Sequence, residues 1–175
     1  MAKSKSDISN SAIRIFLQDV GKFYDKERGL DPLTPSLKVS QKKELLEYFD
    51  HACCFCKTQI DLKSLSKDHL IPMNNTHLGL HAWGNVVPCR KTFNNEKQQK
   101  PWAKFILIKA EPDEAAKRSE LIHSFVKKMH YDPELNLHKY ADSLYEDIGA
   151  VAMTLINLRY KQAEDAIKQL TFSSE

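Results

Sequence analysis

The apolar positions of this chain keep helical spacing towards both ends and lose it in the middle. Ile13, Phe16, Leu17, Val20, Phe23 and Tyr24 recur every three or four positions behind a cap at Asn10 or Ser11, and Gly29, Pro32 and Pro35 end the run. Residues 1 to 10 are polar and are expected to fray. A second helix is expected after Ser40, with Leu45, Leu46 and Phe49 turned inward. From there the periodicity breaks into two short pieces, Thr58 to Leu62 and Leu65 to Ile71, which predict a small antiparallel hairpin. Met73 to Gly84 reads as loop, and Asn85 to Cys89 is too short to carry much. Helical spacing returns over Arg90 to Lys100, stopped by Pro101, then over Trp102 to Ala110 and over Asp113 to His130, where Leu121, Ile122, Phe125, Val126 and Met129 share a face.

Beyond Pro133 a single helix is predicted to about Leu170, with Gly149 as its weak point. It carries two apolar stripes. Ala141, Leu144, Ile148, Val151, Leu155 and Leu158 form one; Met153, Ile156, Tyr160, Ala163, Ile167 and Leu170 form the other. Two stripes imply two buried faces, one against the chain's own helices and one serving as core, dimer seam or docking face for a protein partner. The heptads are too few for a coiled coil.

The 175 residues suit one domain with its own core, divided into N-terminal helices over 11–49, a central unit over 50–102 and a C-terminal helical region over 103–172. No segment approaches the length of a membrane span, and the polar N-terminus lacks the apolar stretch of a signal peptide. Four cysteines, three of them between Cys53 and Cys56, make poor material for a disulfide framework, so a cytoplasmic, reducing setting is expected. The net charge of +3 points only weakly to nucleic acid. Arg90, Lys91, Lys97, Lys100 and Lys104 say more, because they crowd one short segment where they can meet phosphates; a solvated helix face is the alternative.

The central unit carries the chemistry. Cys53-Cys54-Phe55-Cys56 precedes Asp68-His69-Leu70-Ile71-Pro72, followed by Asn85-Val86-Val87-Pro88-Cys89 and by Asn94-Asn95-Glu96-Lys97. This ordered set resembles the HNH endonucleases, over roughly residues 50 to 102. The resemblance implies an α+β fold, mostly helical, built on a small ββα-metal (HNH, His-Me finger) core flanked by helices. It also implies a phosphodiester hydrolase, with DNA as the preferred substrate and restriction or phage defence among its settings.

Hydrolysing a phosphodiester needs a nucleophilic water, an acceptor for its proton and a cation to neutralise charge on the phosphate. On the resemblance His69 is the general base, Asp68 and Asn94 hold Mg2+ or Mn2+, Asn85 braces the loop beside the histidine and Lys97 meets phosphate. An all-oxygen ligand set favours such hard cations over zinc. For Asp68 and His69 to serve one site, the strand that carries them must end, bulge or twist there, because neighbours on a strand face opposite ways.

The chain departs from the family at its second cysteine pair. Cys53 and Cys56 form the first, but Cys89 is followed by Arg90-Lys91-Thr92-Phe93, which places an aromatic beside Asn94. A structural zinc on Cys53, Cys56 and Cys89 then needs a fourth ligand such as Cys54, His51, His77 or His81, and buried metal-free thiols are the simpler expectation. Two rival functions remain from other classes. One is a nucleic-acid-binding module that does not cut, and the other is an interaction subunit working through the C-terminal helix.

Overall fold

Helix α1 spans Lys5–Glu27 in the computed structural model, which describes residues 5–172. It begins earlier than the apolar pattern predicts. Residues 5 to 10, expected to fray, are helical, and Ser9 is buried where α1 crosses α6 (His138–Phe172). Residues 1 to 4, covered by the same expectation, lie outside the described residues. At the crossing a Cβ on Gly149 would come within 2.5 Å of Ser9 Oγ. Glycine there permits a close helix approach, so it is a packing requirement where propensity alone reads a weak point.

The fold is α+β, mostly helical, with a two-stranded antiparallel sheet. Helix α2 (Val39–Tyr48) leads to the cysteine loop, and β1 (Leu65–His69) pairs with β2 (Val86–Arg90), Leu65 facing Arg90 and His69 facing Val86. This overturns the expected hairpin of Thr58 to Leu62 with Leu65 to Ile71. Asp61 Oδ1 accepts from Lys63 N at 3.1 Å, Ser64 N at 2.8 Å and Ser64 Oγ at 2.6 Å, which winds 61–64 into a tight turn instead of a strand end. Outside the sheet, Gln59 makes an isolated bridge to Ala52. The segment dismissed as too short supplies β2, because Val86, Val87, Pro88 and Cys89 are all buried and read as a continuous apolar run.

Helix α3 (Lys91–Lys97) follows β2 without a loop and is shorter than the predicted Arg90 to Lys100, since Arg90 belongs to the strand and Gln98 leaves the helix at φ 50°. Helices α4 (Trp102–Lys109) and α5 (Pro112–Lys128) match the expected segments. One core cluster joins α2, the sheet, α4 and α5 through Leu45, Phe49, Phe55, Val86, Phe105 and Phe125. A second lies under α1 and includes Ile13, Leu17, Leu78, Leu80, Tyr131 and Ala141.

A buried ion pair ties α1 to both clusters. Asp25, fully buried, accepts from Leu33 N and Trp83 N at 3.1 Å each and from Arg28 Nη2 at 2.6 Å. Arg28 also donates to the carbonyls of Tyr24, Trp83 and Met129. Burial pushes the Asp25 carboxyl up, against the backbone N–H groups and Arg28 that pull it down. Trp83 is core, its Nε1 donating to Asp31 O at 2.8 Å.

Helix α6 departs from the expected two buried faces. Ala141, Leu144 and Ile148 are covered, but Val151, Leu155, Ile156, Leu158, Tyr160 and Ile167 are each about half exposed or more, because α6 runs on past the start of α1. The side chain of Leu170 lies outside the described residues. No described helix is long and apolar enough to cross a membrane.

Replacing one member of a buried ion pair strands the other. Asp25→Ala is therefore expected to cost about 3–5 kcal/mol in urea unfolding; a loss below ~1 kcal/mol would show that the pair does not hold these segments together.

Candidate active site

Strand β1 ends at His69, and that ending resolves the facing problem of Asp68 and His69. Leu70 N donates to Asn85 O at 2.9 Å, one last bond beyond the strand, and the chain then turns through Pro72. Asp68 and His69 both line a cleft of about 290 Å³, with Arg14 from α1, Pro72, Met73 and Asn74 from the loop, and Gln98 and Gln99 after α3.

Asn85 holds the turn. It is fully buried; its Oδ1 accepts from Ile71 N at 2.8 Å, and its Nδ2 donates to Ile71 O at 3.1 Å and Leu80 O at 2.8 Å. Its side chain thus bridges the two ends of the loop between β1 and β2, a loop whose buried backbone needs such partners.

Asp68 is buried, and its Oδ2 faces the Lys97 ammonium, with Nζ at 3.1 Å. Lys97 Nζ also donates to His69 O at 2.8 Å. Burial raises the Asp68 carboxyl, and the Lys97 charge offsets part of the rise. Lys97 itself is fully buried, which corrects its expected contact with phosphate: its ammonium faces the end of β1 and never reaches solvent. Its stem packs inside, and a carboxylate and a carbonyl meet its ammonium, as a buried cation requires.

Asn94 is turned towards β1. Its Nδ2 donates to Lys67 O at 2.9 Å and to Ser66 Oγ at 3.2 Å, which leaves Oδ1 as the free end of the amide. It does not line the cleft, whereas Gln98, just past α3, does. Of the two residues expected to hold a cation, Asp68 faces the Lys97 ammonium through its Oδ2 and Asn94 lies outside the cleft lining.

His69 Nε2 lies 3.0 Å from His81 Nδ1, and His81 Nε2 lies 2.9 Å from Thr34 O. Its pKa falls to about 3, first through burial and then through the positive fields of His81, Lys67, Lys97 and Arg14. His81 is lowered as well, mainly by burial. A neutral imidazole therefore stands in the cleft. His81, considered in the sequence only as a fourth zinc ligand, and Arg14, which no motif or spacing marks, are brought to His69 and the cleft by the fold.

The cysteines form a thiol cluster. All four are free. Cys53 Sγ accepts from Arg90 N at 3.3 Å, Cys56 Sγ pairs with Thr58 Oγ1 at 3.2 Å and Cys89 Sγ with Arg90 O at 3.2 Å. Hydrogen bonds from Cys54 and Cys89 pull the Cys53 thiol strongly down, and those two are pushed up. Among the described residues no group of three or more His, Cys, Asp or Glu is arranged to hold a metal, so the alternative of a structural zinc on Cys53, Cys56 and Cys89 gains no support. Phe93 instead packs edge-on against Phe105, with ring centres 6.1 Å apart.

The lowered His69 pKa fixes a sign. The unfolded imidazole takes its proton near 6.5 and the folded one near 3, so the stability that depends on a neutral His69 is complete above about 6.5 and is lost as pH falls towards 3. Wild type is expected to lose more stability between about pH 7 and pH 5 than His69→Gln, as read by urea unfolding. Equal losses would mean that His69 titrates normally.

No family model, curated protein or solved structure matches this chain.

Proposed function

We propose that this chain is a metal-dependent endonuclease of the HNH type that hydrolyses phosphodiester bonds in DNA. The observation that carries the reading is the pairing, in the lining of one cleft, of a buried carboxylate beside the Lys97 ammonium and a neutral imidazole with a free ring nitrogen. Asp68 and Asn94 would hold Mg2+ or Mn2+, which supplies charge neutralisation at the scissile phosphate and the leaving oxygen.

The other steps belong to the chain's own residues. His69, neutral at working pH, takes a proton from the water that attacks phosphorus. Its pKa of about 3 makes it a weak base in the resting site, and the negative charge of a bound phosphate would raise it. Arg14, exposed on the cleft, meets a flanking phosphate. Asn85 holds the loop after the dyad, and Lys97 fixes the end of β1 through His69 O and the Asp68 carboxylate. Restriction and phage defence are the settings that the family analogy favours.

The decisive experiment incubates the pure protein with plasmid DNA and with RNA, in Mg2+, Mn2+ or chelator. His69→Ala is expected to lose cleavage on the order of 100- to 10,000-fold while DNA binding persists. Asp68→Ala is expected to lose it with partial return at high Mn2+. Full activity in saturating chelator, or equal rates for wild type and His69→Ala, would overturn the proposal. Binding without cutting by wild type would favour the non-catalytic module. Lys97→Ala is expected to lower stability, because it leaves Asp68 buried beside no countercharge.

A second reading, an interaction surface on α6, is favoured by the half-exposed Val151, Leu155, Leu158 and Tyr160. Its simplest form is a symmetric dimer, which uses one patch twice. Light scattering is expected to show a dimer that Leu155→Asp dissociates without loss of helical signal; a strict monomer at high concentration excludes it.

A further inference from the structure

We propose that His81 is a positioning residue that holds His69 in the tautomer with its proton on Nε2, leaving Nδ1 as the base. The inference rests on the nuclease reading only for its kinetic consequence; the proton positions follow from geometry.

The argument starts at Thr34. Its carbonyl oxygen can only accept, so the 2.9 Å contact places a proton on His81 Nε2. At a pH above the ordinary imidazole range each ring carries one proton, and His81 Nδ1 is then a lone pair. That lone pair faces His69 Nε2 at 3.0 Å, and two nitrogens so close need one proton between them. The proton must come from His69. Its Nδ1 is left unprotonated, with no partner among the described residues, on a ring that lines the cleft. The polarity of the whole chain, from His69 through His81 to Thr34, is set by a group that cannot donate.

The surroundings hold this chain rigid. His81 is buried, and its backbone lies against α1: His81 N donates to Leu17 O at 3.4 Å, and a Cβ on Gly21 would come within 2.5 Å of His81 O. Glycine at 21 lets the two backbones approach that closely. Thr34 is fixed from the other side, since Gln41 Oε1 accepts from Thr34 N at 3.2 Å and from Lys38 N at 3.0 Å, and Gln41 Nε2 donates to Pro32 O at 2.8 Å. Three segments distant in sequence therefore converge on one ring nitrogen of His69. A base whose second nitrogen is fixed by a buried partner keeps its tautomer and direction through the reaction.

The test reads the tautomer directly, by long-range proton–nitrogen correlation of the histidine rings at about pH 8, where free imidazoles are neutral. Wild type is expected to show His69 with a protonated Nε2 and a bare Nδ1. His81→Phe, which keeps a ring but no nitrogen, is expected to show His69 in both tautomers, with kcat for plasmid cleavage down on the order of 10- to 100-fold and KM nearly unchanged. His81→Gln, whose carboxamide can accept from His69 and donate to Thr34, is expected to restore both the single tautomer and most of kcat. A proton on Nδ1 of His69 in wild type overturns the proposal, as does an unchanged single tautomer in a folded His81→Phe. If wild type cuts nothing, the nuclease reading fails while the spectra still decide the role of His81.

Discussion

The arrangement depends first on a carboxylate that has no access to water. Asp25 sits on α1 with both oxygens engaged, by Leu33 N and Trp83 N as well as by Arg28. Unpaired, a buried charge of this kind would cost several kcal/mol or more, so its partners are held in place. Those partners are the ends of two irregular segments. One carries Thr34, and the other carries His81 and leads into β2. A pair at the end of α1 thus sets the distance between loops that have no regular structure of their own to position them.

From that anchor the site is built in layers. Asn85 closes the loop between β1 and β2 with its side chain alone, and its backbone carbonyl extends the pairing by one residue past His69. Lys97 comes up from α3 to the same strand end. The result is a pair of neighbours in unlike states: Asp68 is a buried carboxylate beside the Lys97 ammonium, and the His69 ring is held neutral.

Lys97 shows how burial alters a residue's meaning. As one of a run of cations it reads as a phosphate contact; placed at the end of α3 with its ammonium between Asp68 and a carbonyl, it is an internal countercharge. The cation in the cleft lining is Arg14, which arrives from a helix the central motif does not include. The thiols lie as hydrogen-bonded neighbours, and the aromatic Phe93 joins the packing of α4.

Much of the helical framework was legible in the order of residues, because helix faces and their ends are set by neighbours three and four positions apart and by prolines and glycines beside them. The order Asp68, His69, Asn85, Asn94 was legible for a similar reason: it is a local grammar of side-chain types. The partner of β1 was not. Strand pairing is decided between residues far apart, and a buried run such as Val86 to Cys89 lacks the alternation that marks a strand from sequence. Nor could spacing foretell that Gly149 marks a helix crossing, that Lys97 is buried or that His81 meets His69, since each is a consequence of which surfaces come together. The sequence by itself determined most of the helices and the chemical types available at the end of β1. Only the tertiary structure decided which of them share a cleft and which ring nitrogen is left bare, because desolvation and hydrogen-bond polarity exist only once the distant segments that impose them have packed.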